Sequence, residues 1–415
     1  MKVNTSFAEH ALERENVGPK ERVIMSNLQK CTALFVLVAM CSSSLAGETG
    51  EVVIHGTGSW AVGNSDQYEY LQGGGEGSNQ WQNIDFMLNL SSHPYENLRI
   101  GAQLWYEIES EETEVALEVA FAEWAFSEVH HLRAGLSRVP FGIYADIFDI
   151  GTLRPFYSLP QSVYGSNGMI PEGYAGIGLW GQLGDGWHLV YDLYVGGMKT
   201  RDMDMYMMFI DADSGAAPAD GDEGGMAEMS RDRFLDDVVG GHIQISTPWD
   251  GLSFGLSSYV GKPRAEEDPG EGESEDPIWS DQEVYGVQLE YMSDALLLRT
   301  EYIMADKNNG SINAFYIELA HRFLEHWQLA GRFESIELDP DLEIDADALS
   351  LLDHEEYVIG INYWLNPGAV VKLAFHSISG NLLTHPEGGE IREVVEAGNL
   401  DNSTRLLNLG VQFSF

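Results

Sequence analysis

The chain holds 415 residues, with 22 Lys and Arg against 66 Asp and Glu, for a formal charge of −44. That balance excludes nucleic acid as a partner, because phosphate backbones are bound by basic faces. Hydrophobic residues make up 44% and aromatics 11%, too many for a disordered chain.

Chain order begins with a leader. From Met25, "MSNLQKCTALFVLVAMCSSSLAGETG" has a lysine, an apolar core and small residues ending at Ala46, the pattern of an export signal cut after Ala46. Residues 1–24 are polar and read as a mis-assigned or extended N-terminus. Cys31 and Cys41, the two cysteines, both lie in this leader. The mature chain then lacks disulfides and thiolate chemistry. No apolar run reaches the roughly 18 residues of a spanning helix.

From residue 47 onward the pattern alternates with period 2, the signature of strands with one apolar face. "VVIHGTGSWAVG" comes first. "NIDFMLNLS" places Ile84, Phe86, Leu88 and Leu90 on one face, and "LRIGAQLWYEI" does so with Leu98, Ile100, Ala102 and Leu104. "EVALEVAFAEW" is expected to align Val115, Leu117, Val119 and Phe121. Twelve further segments follow, ending in "LLNLGVQFSF", which makes sixteen strands. The connections alternate. Tight turns such as "GDG", "TPWDG", "SDA" and "NPG" take turns with long stretches at 63–79, 139–172, 198–236, 263–282, 338–354 and 380–403, and with two shorter members near 109–113 and 306–311. The opposite face carries Asp85, Asn89, Gln103, Gln288, Glu290, Glu301, Glu318 and Lys372. Short turns at one end, long loops at the other and a polar second face predict an all-β, antiparallel transmembrane barrel of about sixteen strands, closed first to last. Its short turns would face the periplasm and its long loops the exterior.

These features resemble a bacterial outer-membrane porin. The marks are the leader, sixteen alternating strands, a long insertion after the fifth, and a terminal strand ending in Phe415. "RAGLSRVPFGIY" before that insertion resembles the phosphate-selective porin O/P-like branch. The resemblance implies the outer membrane of a Gram-negative bacterium, contact with membrane lipid and the assembly machinery, a homotrimer, and Phe413 and Phe415 as an assembly signal.

The 139–172 stretch is long, apolar and lightly charged, so it is expected to fold into the lumen and narrow it. The residues expected to line the pore or its constriction are Arg99, Arg133, Asp146, Asp149, Arg154, Arg299, Arg322 and Arg332. Arginines lining a pore set a field or an anion path; the plainer reading is that they pair with neighbouring glutamates. Acidic runs in 198–236 and 263–282 read as a solvated outer face rather than a calcium site, since no EF-hand spacing is present. No metal ligands, no cofactor and no catalytic residue are expected. His376 and Ser379 fall on opposite strand faces, and His242 and Ser246 are too far apart to act as a pair. The expected function is passive diffusion of ions and small hydrophilic solutes, with acidic outer loops favouring cations. The alternatives are an uptake channel for an anionic nutrient such as phosphate, and a non-conducting surface barrel or barrel enzyme.

Overall fold

The computed structural model describes residues 51–109, 112–165, 169–201, 232–264, 281–307, 310–340, 353–384 and 401–415. The expected leader and N-terminal extension at 1–46 lie outside the described residues, as do most of the two acidic loops. Sixteen strands are present: β1 (Val52–Ser65), β2 (Asn79–Tyr95), β3 (Leu98–Glu109), β4 (Glu112–Ala125), β5 (His130–Arg138), β6 (Gly173–Leu183), β7 (His188–Arg201), β8 (Asp232–Ser246), β9 (Leu252–Pro263), β10 (Gln282–Met292), β11 (Leu296–Lys307), β12 (Gly310–Arg322), β13 (Trp327–Pro340), β14 (Asp353–Asn366), β15 (Ala369–Ser379) and β16 (Ser403–Ser414). Each pairs antiparallel with its sequence neighbours, and β1 pairs with β16 to close the barrel. Closure removes the free edges that lipid would not tolerate.

The closing seam explains the final residues. Phe415 exchanges both backbone hydrogen bonds with Gly56 at 2.9 Å, and its ring stacks on Phe86 at 6.2 Å. The Phe415 ring lies where a Cβ on Gly56 would sit, and the Phe413 ring does the same over Gly58. Two glycines in the first strand thus receive the two aromatics of the last.

The outward face is apolar along the middle of the strands. Ile54, Ile84, Phe86, Leu117, Ile177, Leu193, Leu256, Val287, Leu319, Ile359, Phe375 and Leu409 are exposed and point away from the barrel. Aromatics crowd the short-turn end, with Tyr95, Trp187 and Trp249 at least 60% exposed, as an interfacial girdle requires.

Strands β2, β4, β8 and β14 depart from simple alternation, and the break in β4 bears on the lumen. In β4, Gln103 faces Val119 while Leu104 faces Leu117, so Glu118 is an inserted bulge residue. A single inserted residue moves every later side chain to the other face. Val115 and Leu117 point to lipid as expected, but Val119 and Phe121 turn inward. Glu118 and Glu123 join them on the lumen side.

The inward face is polar only in part. Near the long-loop end Tyr174, Tyr194, Met198, Leu235, Tyr259, Ile303, Ile312, Tyr316 and Ile336 are buried inside the barrel. They form one apolar cluster with Phe141, Tyr144, Leu159, Val163, Tyr164 and Met169 of the stretch between β5 and β6. Tyr70 and Leu382, from two other loops, belong to the same cluster. The outer half of the lumen is therefore packed with apolar side chains, where an evenly polar wall was expected.

Candidate functional site: the loop-filled lumen

The chain leaves β5 at Arg138 and enters the barrel through "VPFG". Gly142 has φ +70° and donates its N–H to Ser257 Oγ at 3.0 Å. That left-handed conformation suits glycine. A Cβ there would run into the Tyr164 hydroxyl and the Glu301 carboxylate. Phe141, fully buried beside it, makes an edge contact with Tyr259 at 6.1 Å. Two short 3-10 turns follow, at Ala145–Ile147 and Gly151–Leu153, and then a single helical turn, α1 (Gln161–Tyr164).

A loop packed inside a barrel must satisfy its own backbone polar groups. Here the wall does it, strand by strand. Arg299 on β11 donates to the Leu153 carbonyl at 3.1 Å. Arg332 on β13 donates to the Ser158 carbonyl at 3.0 Å, and its guanidinium lies 4.9 Å from the Phe156 ring. Asn362 on β14 reaches the Pro155 carbonyl at 2.7 Å. Lys372 on β15 donates to the carbonyls of Gly151 at 2.7 Å, Arg154 at 2.6 Å and Phe156 at 3.0 Å. Gln412 on β16 reaches the Tyr157 carbonyl at 3.3 Å.

Glutamates on the same wall take the loop's donors. Glu301 accepts from the Ile143 N–H and from the Tyr164 hydroxyl at 2.6 Å. Glu318 accepts from the Tyr144 hydroxyl, and Glu334 from the Ser162 N–H at 2.8 Å. Burial pushes the Tyr144 and Tyr164 phenols up, and the adjacent carboxylates push them further, so both remain protonated donors. The wall also pairs internally, Arg299 with Glu290 at 2.8 Å and Arg332 with Glu334 at 3.0 Å. Cations on the wall hold loop carbonyls, and anions hold loop N–H and O–H groups.

The pore-lining expectations separate into groups. Arg299 and Arg332 meet the loop. Asp149 meets Gln103 at 3.0 Å and Arg138, a residue the sequence reading passed over; Arg138 also binds Glu118 at 2.8 Å and Glu172 at 3.1 Å. Arg154 gives its carbonyl to Lys372, while its own Nε is buried without a hydrogen-bond partner. Asp146 lies in the first 3-10 turn. Arg99 and Arg133 lie towards the short-turn end; Arg133 grips Glu123 through two nitrogens at 2.9 and 2.8 Å. Arg322 stands apart from the loop, exposed at the end of β12 with its guanidinium 5.1 Å over Trp364. His130 and His131 open β5 rather than forming the preceding turn.

The loop packs on β6 to β16, reaches β1 and β3 through Tyr157 and Asp149, and leaves the side of β1 to β5 emptier. A cavity of about 830 Å³ runs down the inner face of β1 to β5, from Arg138, Asp149 and Ile150 to His55, His93 and Arg99. Ser59, Asp85 and Tyr157 stand beside it, tied together by hydrogen bonds of 2.7 and 2.9 Å. Among the described residues no group of three or more His, Cys, Asp or Glu is arranged to hold a metal ion.

No family model matches the sequence, and no curated protein matches it. Solved structures do. The chain is similar to the outer-membrane channel DcaP of Acinetobacter baumannii, with a TM-score of 0.54 at 10% identity over 89% of this chain and 99% of that one. It is similar to the anion-selective porin of Comamonas acidovorans, with a TM-score of 0.53 at 10% identity over 88% and 100%. OmpT of Vibrio cholerae in its trimer form gives 0.54 at 9% identity over 89% and 100%. The likeness does not single out the phosphate-selective branch. The chain has the closed, antiparallel sixteen-strand fold of the outer-membrane porins.

Proposed function

We propose that this chain is an outer-membrane channel through which ions and small hydrophilic solutes diffuse passively. The observation that carries the reading is the cavity along β1 to β5, left open by a loop that is anchored to the opposite wall. The loop then acts as the constriction, bridged to the wall from Asp149 to Gln103 and from Tyr157 to Ser59 and Asp85, and solutes pass where these bridges open. Buried Glu301, Glu318 and Glu334 serve to hold the loop, which speaks for a channel rather than an enzyme. The cations Arg299, Arg332 and Lys372 are engaged by loop carbonyls in the same way, so they do not form a free anion path. Carboxylates at Asp85, Glu118, Asp149 and Glu172 outnumber the cations Arg138 and Arg154 at the narrow part, which favours weak cation selectivity. A homotrimer is part of the proposal, supported by the trimer form of the Vibrio cholerae neighbour.

A second reading is a closed barrel, favoured by the apolar cluster that fills the outer half of the lumen. Planar-bilayer recording in a salt gradient separates the two. Stepwise conductance with a cation-positive reversal potential supports the channel; folded protein that gives no steps supports the closed barrel.

A further inference from the structure

The cavity has an uneven lining. Val119 and Phe121, turned inward by the bulge at Glu118, and Met87 on β2 give it an apolar floor. Arg99 overlooks this floor. Its guanidinium sits 5.4 Å above the Phe121 ring and is 41% exposed. Arg99 makes no side-chain hydrogen bond among the described residues. The nearest carboxylate, Glu123, is 3.9 Å away and already accepts from Arg133 and from Trp180 Nε1 at 2.9 Å. Of the other cations on the inner wall of β5 to β15, Arg133 is committed to Glu123, Arg138 to three carboxylates and Arg299, Arg332 and Lys372 to the loop, while Arg322 lies over Trp364 outside this cavity.

We infer that this cavity is a binding site for small carboxylates with an apolar body, with Arg99 as the anion contact and Phe121, Val119 and Met87 as the apolar contacts. The inference rests on the channel reading for access and names a solute class that reading leaves open. A guanidinium presents two parallel N–H groups that match a carboxylate. An exposed guanidinium alone would hold any anion weakly, because water screens it. The apolar floor supplies the discrimination: a hydrocarbon body laid on Phe121 and Met87 gains in proportion to the apolar area removed from water, and inorganic phosphate gains nothing there. A volume of about 830 Å³ lies within the range of small-molecule sites. The site lies on the short-turn side of the Arg138–Asp149 pair, so a bound solute would stand in the path of ions that have passed the narrow part.

The test uses 3-phenylpropionate as the probe, with 3-phenylpropanol and inorganic phosphate as controls. In single-channel recording, 3-phenylpropionate is expected to reduce or interrupt the current, while neither control does at the same concentration. Arg99→Gln is expected to raise the half-blocking concentration at least tenfold, and Phe121→Ala to raise it as well. Heat-modifiable migration on gels confirms that each variant is folded. Equal block by phosphate, or block unchanged in Arg99→Gln, overturns the site. Saturation-transfer NMR on the detergent-solubilised protein reads binding without current. A barrel that gives no current yet transfers saturation to 3-phenylpropionate, and loses the transfer in Arg99→Gln, keeps the site and defeats the channel reading alone. Conductance without block and without transfer defeats the site alone.

Discussion

Lys372 gathers more loop contacts than any other wall residue described here, and replacing it with Met isolates what anchoring contributes. The side chain is 1% exposed, and its Nζ, with three N–H donors, lies within hydrogen-bond distance of three carbonyls of the 151–156 segment and of Gln412 Oε1. Methionine keeps the volume and removes every donor. Each buried carbonyl left without a partner costs about 1–3 kcal/mol, and partial hydration as the loop loosens puts the total at roughly 3 kcal/mol. At about 1.4 kcal/mol per factor of ten, the detached loop becomes roughly a hundredfold more populated. The ladders from β15 to β14 and β16 are untouched, so the barrel itself should still assemble. Single-channel recording is the assay. Lys372→Met should show larger or noisier steps than the parent, with excursions to a wider state. A folded Lys372→Met protein with the parent's step size and noise would refute the anchoring argument.

Further outcomes follow from the same geometry. Gly142→Ala forces a side chain into a left-handed residue against Tyr164 and Glu301, and should lower the thermal midpoint of loop protection in hydrogen exchange while the strand ladders stay protected. Tyr144 is held protonated in the folded chain, its phenol raised above the ordinary value near pH 10 by burial and Glu318. Its contribution is therefore complete below about pH 10 and is lost as the pH climbs beyond it, so alkaline loosening should appear in the parent and be blunted in Tyr144→Phe. Leu409→Asp puts a charge on the lipid face of the closing strand, at a depth-dependent cost below the roughly 2–4 kcal/mol of a basic residue at the midplane; heat-modifiable barrel in membrane fractions should fall, and normal levels would count against the strand's assignment.

Much of the barrel was legible because a strand between lipid and lumen leaves a period-2 trace, and because Phe415 ends that trace with an alternating partner set. The sixteen strands, the closure and the loop-length asymmetry all appear as expected. The bulge at Glu118 did not show. "EVALEVAF" alternates cleanly on paper, and only the pairing to Gln103 and Leu104 reveals the extra residue that sends Val119 and Phe121 inward. The apolar outer lumen was hidden for another reason. Around Ile303 and Tyr316 both strand faces are apolar, one against lipid and one against a loop that comes from residues 139–172. Sequence alternation cannot report a cover supplied from so far along the chain. Lys372 and Arg332 were visible as lumen residues, but their partners are backbone carbonyls, which carry no side-chain signature. Arg138 was overlooked because it ends its strand just where the loop begins.

The central claim is that solutes pass along β1 to β5, beside the anchored loop. Asn89 lines that cavity on β2, and both cysteines, Cys31 and Cys41, precede residue 47. The most direct measurement is the single-channel current of Asn89→Cys before and after reaction with a bulky, positively charged thiol reagent. Stepwise conductance that drops sharply on labelling is the predicted result; folded protein without steps, or steps that labelling leaves unchanged, would contradict it.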